Sequence, residues 1–318
     1  MKFSIVIPLY NGAGFIENTL DSVLAQTYKD YEVVLVNDGS PDNVGAVARK
    51  YMTAHKGVEI AYIEQENRGL GGARNTAIRN ASGEIIAILD QDDIWYPEKL
   101  ERMAEIYKDD PEVDIIRHSQ KVRKNGKVER VFSPGSRDKN IYRELLFDDN
   151  TLSTSAVTFK KRITDEVGMF SEDRENFHFV EDYDLWLRMA EKGHKFHFMN
   201  DILGECTKHD SNFSSDLGTM LKGELNMLAE HFKTFFKNPK NRTLWNYYLK
   251  RRRFALAHFR ISRKYFKARR YSGAKRFWEG IKHLLKTLVW DPFFMSYSVR
   301  YFKRLGYYRR NKIKGDIK

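Results

Sequence analysis

The first hundred residues alternate short apolar runs with amphipathic stretches. Phe3–Pro8 (FSIVIP) is a β-branched run of the kind a parallel sheet buries on both faces. Gly14–Gln26 sets Phe15, Ile16, Leu20, Val23 and Leu24 on one helical stripe. Tyr31–Asn37 reads as a second strand, Asp42–Met52 as a helix with Val44, Val47, Ala48 and Tyr51 inward, and Val58–Ile63 as a third strand. Gly71–Asn80 continues as a helix and Glu84–Asp90 as a fourth strand. A further helix starts at Pro97, because proline suits a first turn. This βαβα rhythm predicts an α/β fold with a doubly wound, mostly parallel sheet and a ligand crevice at the carboxyl ends of its strands.

The last third follows another pattern. Leu217–Lys237, Thr243–Arg269, Gly273–Leu288 and Pro292–Leu305 read as helices, broken near Asn238-Pro239, Tyr271-Ser272 and Asp291-Pro292. The charge changes with the pattern. The 318 residues carry a net +12, yet up to Asp216 there are 28 Lys and Arg against 38 Asp and Glu, and after it 27 against 5. An acidic two-thirds is joined to a very basic third, which points to two tasks. Hydrophobic content of 42% with 14% aromatics excludes simple disorder, and the lone Cys206 excludes a disulfide scaffold. The run before Asn11-Gly12 is too short for a signal-peptide core, and nothing approaches the roughly 18 apolar residues of a membrane span. The expected compartment is the cytoplasm.

The polar clusters fall at strand ends. Asn11-Gly12, Asp38-Gly39-Ser40 and Asp90-Gln91-Asp92-Asp93 each follow a strand directly, which places them along one rim. Gly12-Ala13-Gly14 with Glu17 is a broken dinucleotide fingerprint, since its third glycine is missing. Asp38-Gly39-Ser40 by itself is more often a turn and helix start than a site. The three carboxylates of 90–93 repel one another near a sheet end, a cluster best tolerated when a cation neutralises it. A helix cap accounts for Asp93 but not for Asp90 and Asp92. Asn67-Arg68-Gly69 through Ala73-Arg74-Asn75 joins the third strand to the next helix, where glycines and a helix N-terminus favour an anion.

Ile7-Pro8-Leu9-Tyr10-Asn11, Asn37-Asp38-Gly39-Ser40, Asn67-Arg68-Gly69 with Ala73-Arg74-Asn75, and Leu89-Asp90-Gln91-Asp92-Asp93 with Trp95 stand in this order. Together they resemble the family 2 glycosyltransferases of GT-A fold, over roughly residues 1–215. The resemblance implies a Rossmann-like GT-A domain over 1–216, with a nucleotide-sugar half (1–110) and an acceptor half (111–216), followed by a basic helical region over 217–318. It implies an inverting hexosyltransferase that uses a nucleotide-sugar donor, UDP by preference, and Mn²⁺ or Mg²⁺. Asp38 would contact the base, with Pro8, Tyr10 and Asn11 beside it, and Asn67 and Gly69 would complete the donor cleft. Asp90 would lie near the ribose, Asp92 would ligate the metal, and Arg74 would orient the aspartates and donor phosphates. Such a metal neutralises the charge that builds on the leaving diphosphate.

Phe179-Val180-Glu181-Asp182-Tyr183-Asp184-Leu185-Trp186 follows Gly168-Met169-Phe170 and resembles the family's acceptor motif. By that resemblance Asp182 is the base for the acceptor hydroxyl, and Glu181 raises its pKa by like-charge repulsion. A charged first helical turn is the plainer reading of the same pair. Trp186 sits at core spacing with Leu185 and Met189, and one face of it is a candidate acceptor contact. His209, in Lys208–Ser214, resembles a loop histidine that completes the metal site, although a lone loop histidine is more simply exposed. Asp210–Gly218 reads as a lid over bound donor. The absence of Gln-x-x-Arg-Trp and of spanning helices argues for single addition to a lipid-linked or cell-surface glycan rather than for a polymer synthase.

The basic third interleaves 21 of the 43 aromatic residues with its cations, including Lys250–Arg253, Lys264–Arg270 and Phe293–Arg304. Aromatic anchors plus Lys and Arg suit an anionic membrane surface, giving a peripheral protein on the inner face of the cell membrane. A helical homo-oligomer contact is the second reading and nucleic acid the third, which places nucleic acid outside the expected partners. The competing expectation for the whole chain is a non-catalytic membrane or nucleic-acid binder built on a transferase-like core.

Overall fold

The computed structural model describes residues 1–133, 140–209, 216–267 and 273–291. The chain divides into two compact units, Met1–Leu145 with Asn150–Asn212, and Leu146–Asp149 with Phe213–Lys318.

In the first unit β1 (Phe3–Leu9), α1 (Ile16–Leu24), β2 (Tyr31–Asp38), α2 (Val44–Ala54), β3 (Ile60–Gln65), α3 (Gly69–Asn80) and β4 (Ile85–Ile88) follow one another. Every residue of β1, β2 and β4 is buried, as continuous apolar runs require. The strand order is β3-β2-β1-β4 and all three pairings are parallel, so the chain reverses its winding at the β1/β4 boundary. That switch point opens a crevice where the strands end. β3 begins and ends two residues later than the periodicity predicts. Its ladder with β2 runs to Asn37–Glu64 and Asp38–Gln65, so pairing carries the strand past its apolar residues.

The chain then adds β5 (Ile94–Trp95), α4 (Lys99–Asp109), which is the helix expected after Pro97, β6 (Ile115–Lys124), β7 (Lys127–Phe132), α5 (Ile141–Phe147), β8 (Val157–Lys160), α6 (Ile163–Val167), α7 (Glu181–Glu191) and β9 (Phe196–Lys208), and periodicity left these strands unread. Here the sheet becomes mixed. β8 runs antiparallel to both β4 and β6, β7 forms a hairpin on β6, and β9 lies parallel to β6 and antiparallel to β5. One core cluster joins Ile5, Ile7, Leu20, Leu35, Leu89, Trp95 and Met103 beneath the crevice.

The second unit holds α8 (Leu217–Phe235), α9 (Leu244–Lys267) and α10 (Gly273–Trp290), close to the helices predicted there. Asp216 caps α8 by accepting from the amides of Gly218 at 3.1 Å and Thr219 at 3.2 Å. Glu224 is buried and accepts from Arg253 at 2.7 Å and from Arg260, which also reaches Asp149. The break expected at Asn238-Pro239 is a short 3-10 turn, Pro239–Asn241. The expected helix Pro292–Leu305, the break at Tyr271-Ser272, the end of the Lys264–Arg270 cluster and residues 210–215 of the expected lid lie outside the described residues.

Candidate active site

The rim is assembled by side chains that tie each strand end to the next. Gln91 closes on the end of β1, its Oε1 accepting from the Tyr10 amide at 3.0 Å and its Nε2 donating to the Tyr10 carbonyl at 2.6 Å. Asn11, in the left-handed region at φ 54°, donates its amide to Ser40 Oγ at 2.8 Å. Ser40 in turn donates to Asp42 at 2.6 Å, and Asp42 takes the Ala13 amide at 2.9 Å. The post-β1 and post-β2 turns are thus one bonded unit. Pro8 is buried, Tyr10 half-buried and Asn11 exposed.

Asp38 is buried at the end of β2. Its Oδ1 accepts from the Arg68 amide at 2.8 Å and Gln65 Nε2 at 2.7 Å, and Asn67 Nδ2 donates to its carbonyl at 2.8 Å. Gly69, at φ 77°, then turns the chain into α3. At Gly71 a Cβ would stand 2.3 Å from the Ser171 carbonyl, so only glycine lets α3 approach the segment ahead of α7 this closely.

Arg74 is the hub. Its side chain is 2% exposed and donates from one guanidinium nitrogen to Asp90 Oδ1 at 2.8 Å and from another to Glu181 Oε1 at 2.9 Å. One planar fork thus joins the third motif, the fourth motif and the start of α7. Asn75, one position on, clamps the main chain of Phe170, accepting its amide and donating to its carbonyl, both at 2.9 Å. The positions of Glu181 and Asp182 depend on α3 through these contacts.

Glu181 is buried, and burial pushes its carboxyl up, with the Asp182 charge adding and Arg74 opposing. Asp182 is also pushed up by burial, against Arg74 and against the hydrogen bond from Thr154 Oγ1 at 3.0 Å. The repulsion between the two carboxylates is mutual, and burial is the larger cause of the rise at each. The reading of Trp186 is corrected. Its side chain is fully buried, edge-on to Phe159 and Phe170, because α7 packs this face on the sheet, so it offers no face to an acceptor.

At the far side of the rim, Nε2 of His209 lies 2.8 Å from Asp92 Oδ2, and Phe15 stacks on the imidazole at 4.5 Å. Burial and the Asp90 charge raise the Asp92 carboxyl, while His209 lowers it. Among the described residues no three His, Cys, Asp or Glu side chains form a ready-made metal cage. One carboxylate with one imidazole, and Asp90 close by, fits a cation that takes its remaining ligands from a diphosphate.

Beneath this lies a layer that sequence reasoning missed but for Asp93, which the sequence reads as a helix cap and which instead ties down β9. Asp93 is buried and accepts the Thr207 amide at 2.9 Å, which fixes the end of β9 two residues before His209. Lys99 is fully buried, donates to the Ser155 carbonyl at 2.9 Å and lies 3.3 Å from the Trp95 ring centroid; burial holds its pKa well below the ordinary value. Ser155 Oγ accepts the Asp90 amide at 3.0 Å, and Trp95 Nε1 donates to the Ser155 carbonyl at 2.8 Å. The Thr154-Ser155 turn carries no motif that sequence alone would single out.

A doubly wound sheet with acidic strand ends, one of them joined by a buried arginine to the carboxylates that open α7, defines an α/β protein with a polar site on its strand-end rim. The family model for glycosyl transferase family 2 matches residues 4–168, and the chain belongs to that family. An uncharacterized glycosyltransferase of Rickettsia typhi is 31% identical over 258 residues, 78% of this chain and 71% of its own. Among solved structures, Staphylococcus aureus TarS 1–349 in complex with UDP-GlcNAc has a TM-score of 0.57 at 17% identity, covering 93% of this chain and 92% of that one. The mannosyltransferase PcManGT of Pyrobaculum calidifontis, in complex with GDP-Man and Mn²⁺, has a TM-score of 0.56 at 20% identity, covering 90% of this chain and 86% of that one. These two show the shared GT-A-like fold. The chain is a glycosyltransferase, which sets aside the non-catalytic reading.

Proposed function

We propose that the protein transfers a sugar, with inversion, from a nucleotide-sugar donor to a hydroxyl of a lipid-linked or cell-surface glycan. The observation that carries this reading is the Arg74 fork, which joins Asp90 on the donor rim to Glu181 beside Asp182. The nucleotide-sugar complexes of TarS and PcManGT support the donor class. UDP is the favoured nucleotide.

The donor base rests at Asp38, whose carboxylate is fixed by the Arg68 amide and Gln65. Pro8, Tyr10, Asn11, Asn67 and Gly69 shape the cleft around it, and Asp90 faces the ribose. Asp92 and His209 would hold Mn²⁺ or Mg²⁺, which would supply a Lewis acid for the leaving diphosphate. Asp182, steadied by Thr154, takes the proton of the acceptor hydroxyl as its oxygen bonds to the anomeric carbon. The anomeric bond to the diphosphate breaks in the same displacement, and its electron pair leaves with the nucleoside diphosphate. Glu181 keeps Arg74 in place and does not meet the acceptor.

The basic second unit holds the enzyme at an anionic membrane, where a lipid-linked acceptor is found. The excess of 27 Lys and Arg over 5 Asp and Glu after Asp216 supports this. Nucleoside diphosphate release from UDP-GlcNAc, UDP-Glc and GDP-Man, with Mn²⁺ and with a chelator, tests the enzymatic reading. Release from one donor that requires the metal and Asp182 is expected; release unaffected by Asp182→Asn would remove the base assignment.

A further inference from the structure

α9 and α10 form an inverted pair. They run antiparallel and meet through polar groups: Ser262 Oγ donates to the Gly280 carbonyl at 2.8 Å, the Nδ1 atoms of His258 and His283 lie 3.1 Å apart, and Tyr265 stacks on His283 at 5.6 Å. His258, Ser262, His283 and Thr287 are all buried. Trp290 at the end of α10 stacks on Phe254 of α9 at 4.9 Å, but four other apolar side chains of α10 point the other way, with Phe277 51% exposed, Trp278 66%, Leu285 58% and Val289 73%. At 100° per residue they share one face, roughly 120° wide, with Ile281 and Leu288 between them. A helix that faces water does the reverse and turns its apolar stripe inward.

The surroundings of that face are cationic. Lys282 and Lys286 are exposed along its border. Arg251 of α9 donates to the carbonyls of Trp290 at 3.1 Å and Val289 at 3.2 Å, which brings a guanidinium to the carboxyl end of the helix. An apolar stripe edged by cations, on a helix too polar overall to span a bilayer, matches the interface of an anionic lipid surface in both hydrophobicity and charge.

We propose that α10 is the membrane-docking element, lying in the headgroup plane of an anionic bilayer with Phe277, Trp278, Leu285 and Val289 inserted and Lys282 and Lys286 against the headgroups. This rests on the membrane reading above and names its surface. The test is co-sedimentation of the full chain at low salt with phosphatidylcholine vesicles, with and without phosphatidylglycerol. Binding to the anionic vesicles is expected, reduced by at least about tenfold in Leu285→Gln/Val289→Gln. Lys282→Gln and Lys286→Gln should each cost roughly fivefold. Trp278→Phe should still bind but should lose part of the tryptophan quenching by brominated lipid, and unchanged quenching would overturn the proposal. Failure of the unaltered protein to bind anionic vesicles overturns the membrane reading and the docking helix with it. Full binding by the double Gln variant overturns only the assignment to α10. The same holds if that variant converts a dimer to monomers in light scattering while vesicle binding persists, since the face is then a contact between copies.

Discussion

Nε2 of His209 lies 2.8 Å from Oδ2 of Asp92, across 117 positions of sequence. Two neighbours hold the imidazole there: Phe15 stacks on it, and Asp93 anchors the Thr207 amide just upstream. If the pair holds the cation, His209→Ala should raise the Mn²⁺ concentration for half-maximal transfer by at least about tenfold. Asp92→Ala should abolish transfer. A metal titration of nucleoside diphosphate release measures both, and an unchanged half-saturation in His209→Ala would confine the histidine to a structural contact.

Arg74 is 1% exposed and, among the described residues, is the cation that pairs with the buried Glu181. Arg74→Ala leaves that carboxylate without its counter-charge, which costs about 3–5 kcal/mol for a buried pair. Arg74→Lys keeps the charge but loses the fork, so it cannot reach Asp90 and Glu181 together. Urea unfolding should show the alanine variant to be much less stable. The lysine variant should be intermediate in stability and still lack transfer. A loss below about 1 kcal/mol in Arg74→Ala would mean that the fork is not what holds the two carboxylates.

Much of this was legible in the sequence, for a physical reason. β1, β2 and β4 are buried on both faces, so their apolar runs are continuous, and the strand ends then place Asp38 and Asp90 on the rim. The second half was not legible in the same way. β6 and β9 gain their places by pairing over long sequence distances, and Ser119, Gln120 and His118 in β6 are polar yet buried. Thr154, Ser155 and Lys99 act through local polar contacts that leave no periodicity. Trp186 shows the opposite error, since proximity to Asp182 in sequence suggested an acceptor contact and helix geometry turned it inward.

Burial raises the Asp182 carboxyl above the value of an ordinary Asp, and only its ionised form accepts a proton. The acid limb of kcat/KM should therefore lie above the pKa of an ordinary Asp, with activity falling as pH drops through the raised value. The Thr154 hydrogen bond favours the ionised form. Thr154→Val should move that limb to still higher pH, and a limb that stays put or moves down would sink the assignment. Linkage has the matching sign: Glu181 and Asp182 bind protons more tightly in the folded than in the unfolded chain. Their contribution to stability should rise as pH falls from neutral through the raised values.

The approach of α3 to the segment ahead of α7 sets a last prediction. At Gly71 an added Cβ would lie 2.3 Å from the Ser171 carbonyl and 3.5 Å from Glu181 Cγ, and the closer obstacle is backbone. Gly71→Ala should force the two segments apart, costing about 1–3 kcal/mol as an overpacking defect. Because Arg74 and Asn75 stand on the same helix, the shift should also pull Glu181 and Asp182 off the donor rim. Transfer should then fall much further than nucleotide binding, since Asp38 keeps its bond from Gln65, which stands on β3 rather than on α3. Gly14 is the control, for nothing lies within 4 Å of a Cβ there. Gly14→Ala should leave thermal unfolding unchanged or raise stability by a few tenths of a kcal/mol, roughly as expected from a less flexible unfolded chain. Equal melting temperatures for the two variants would show that α3 has room to adjust, and would remove the close approach as the reason for a glycine at 71.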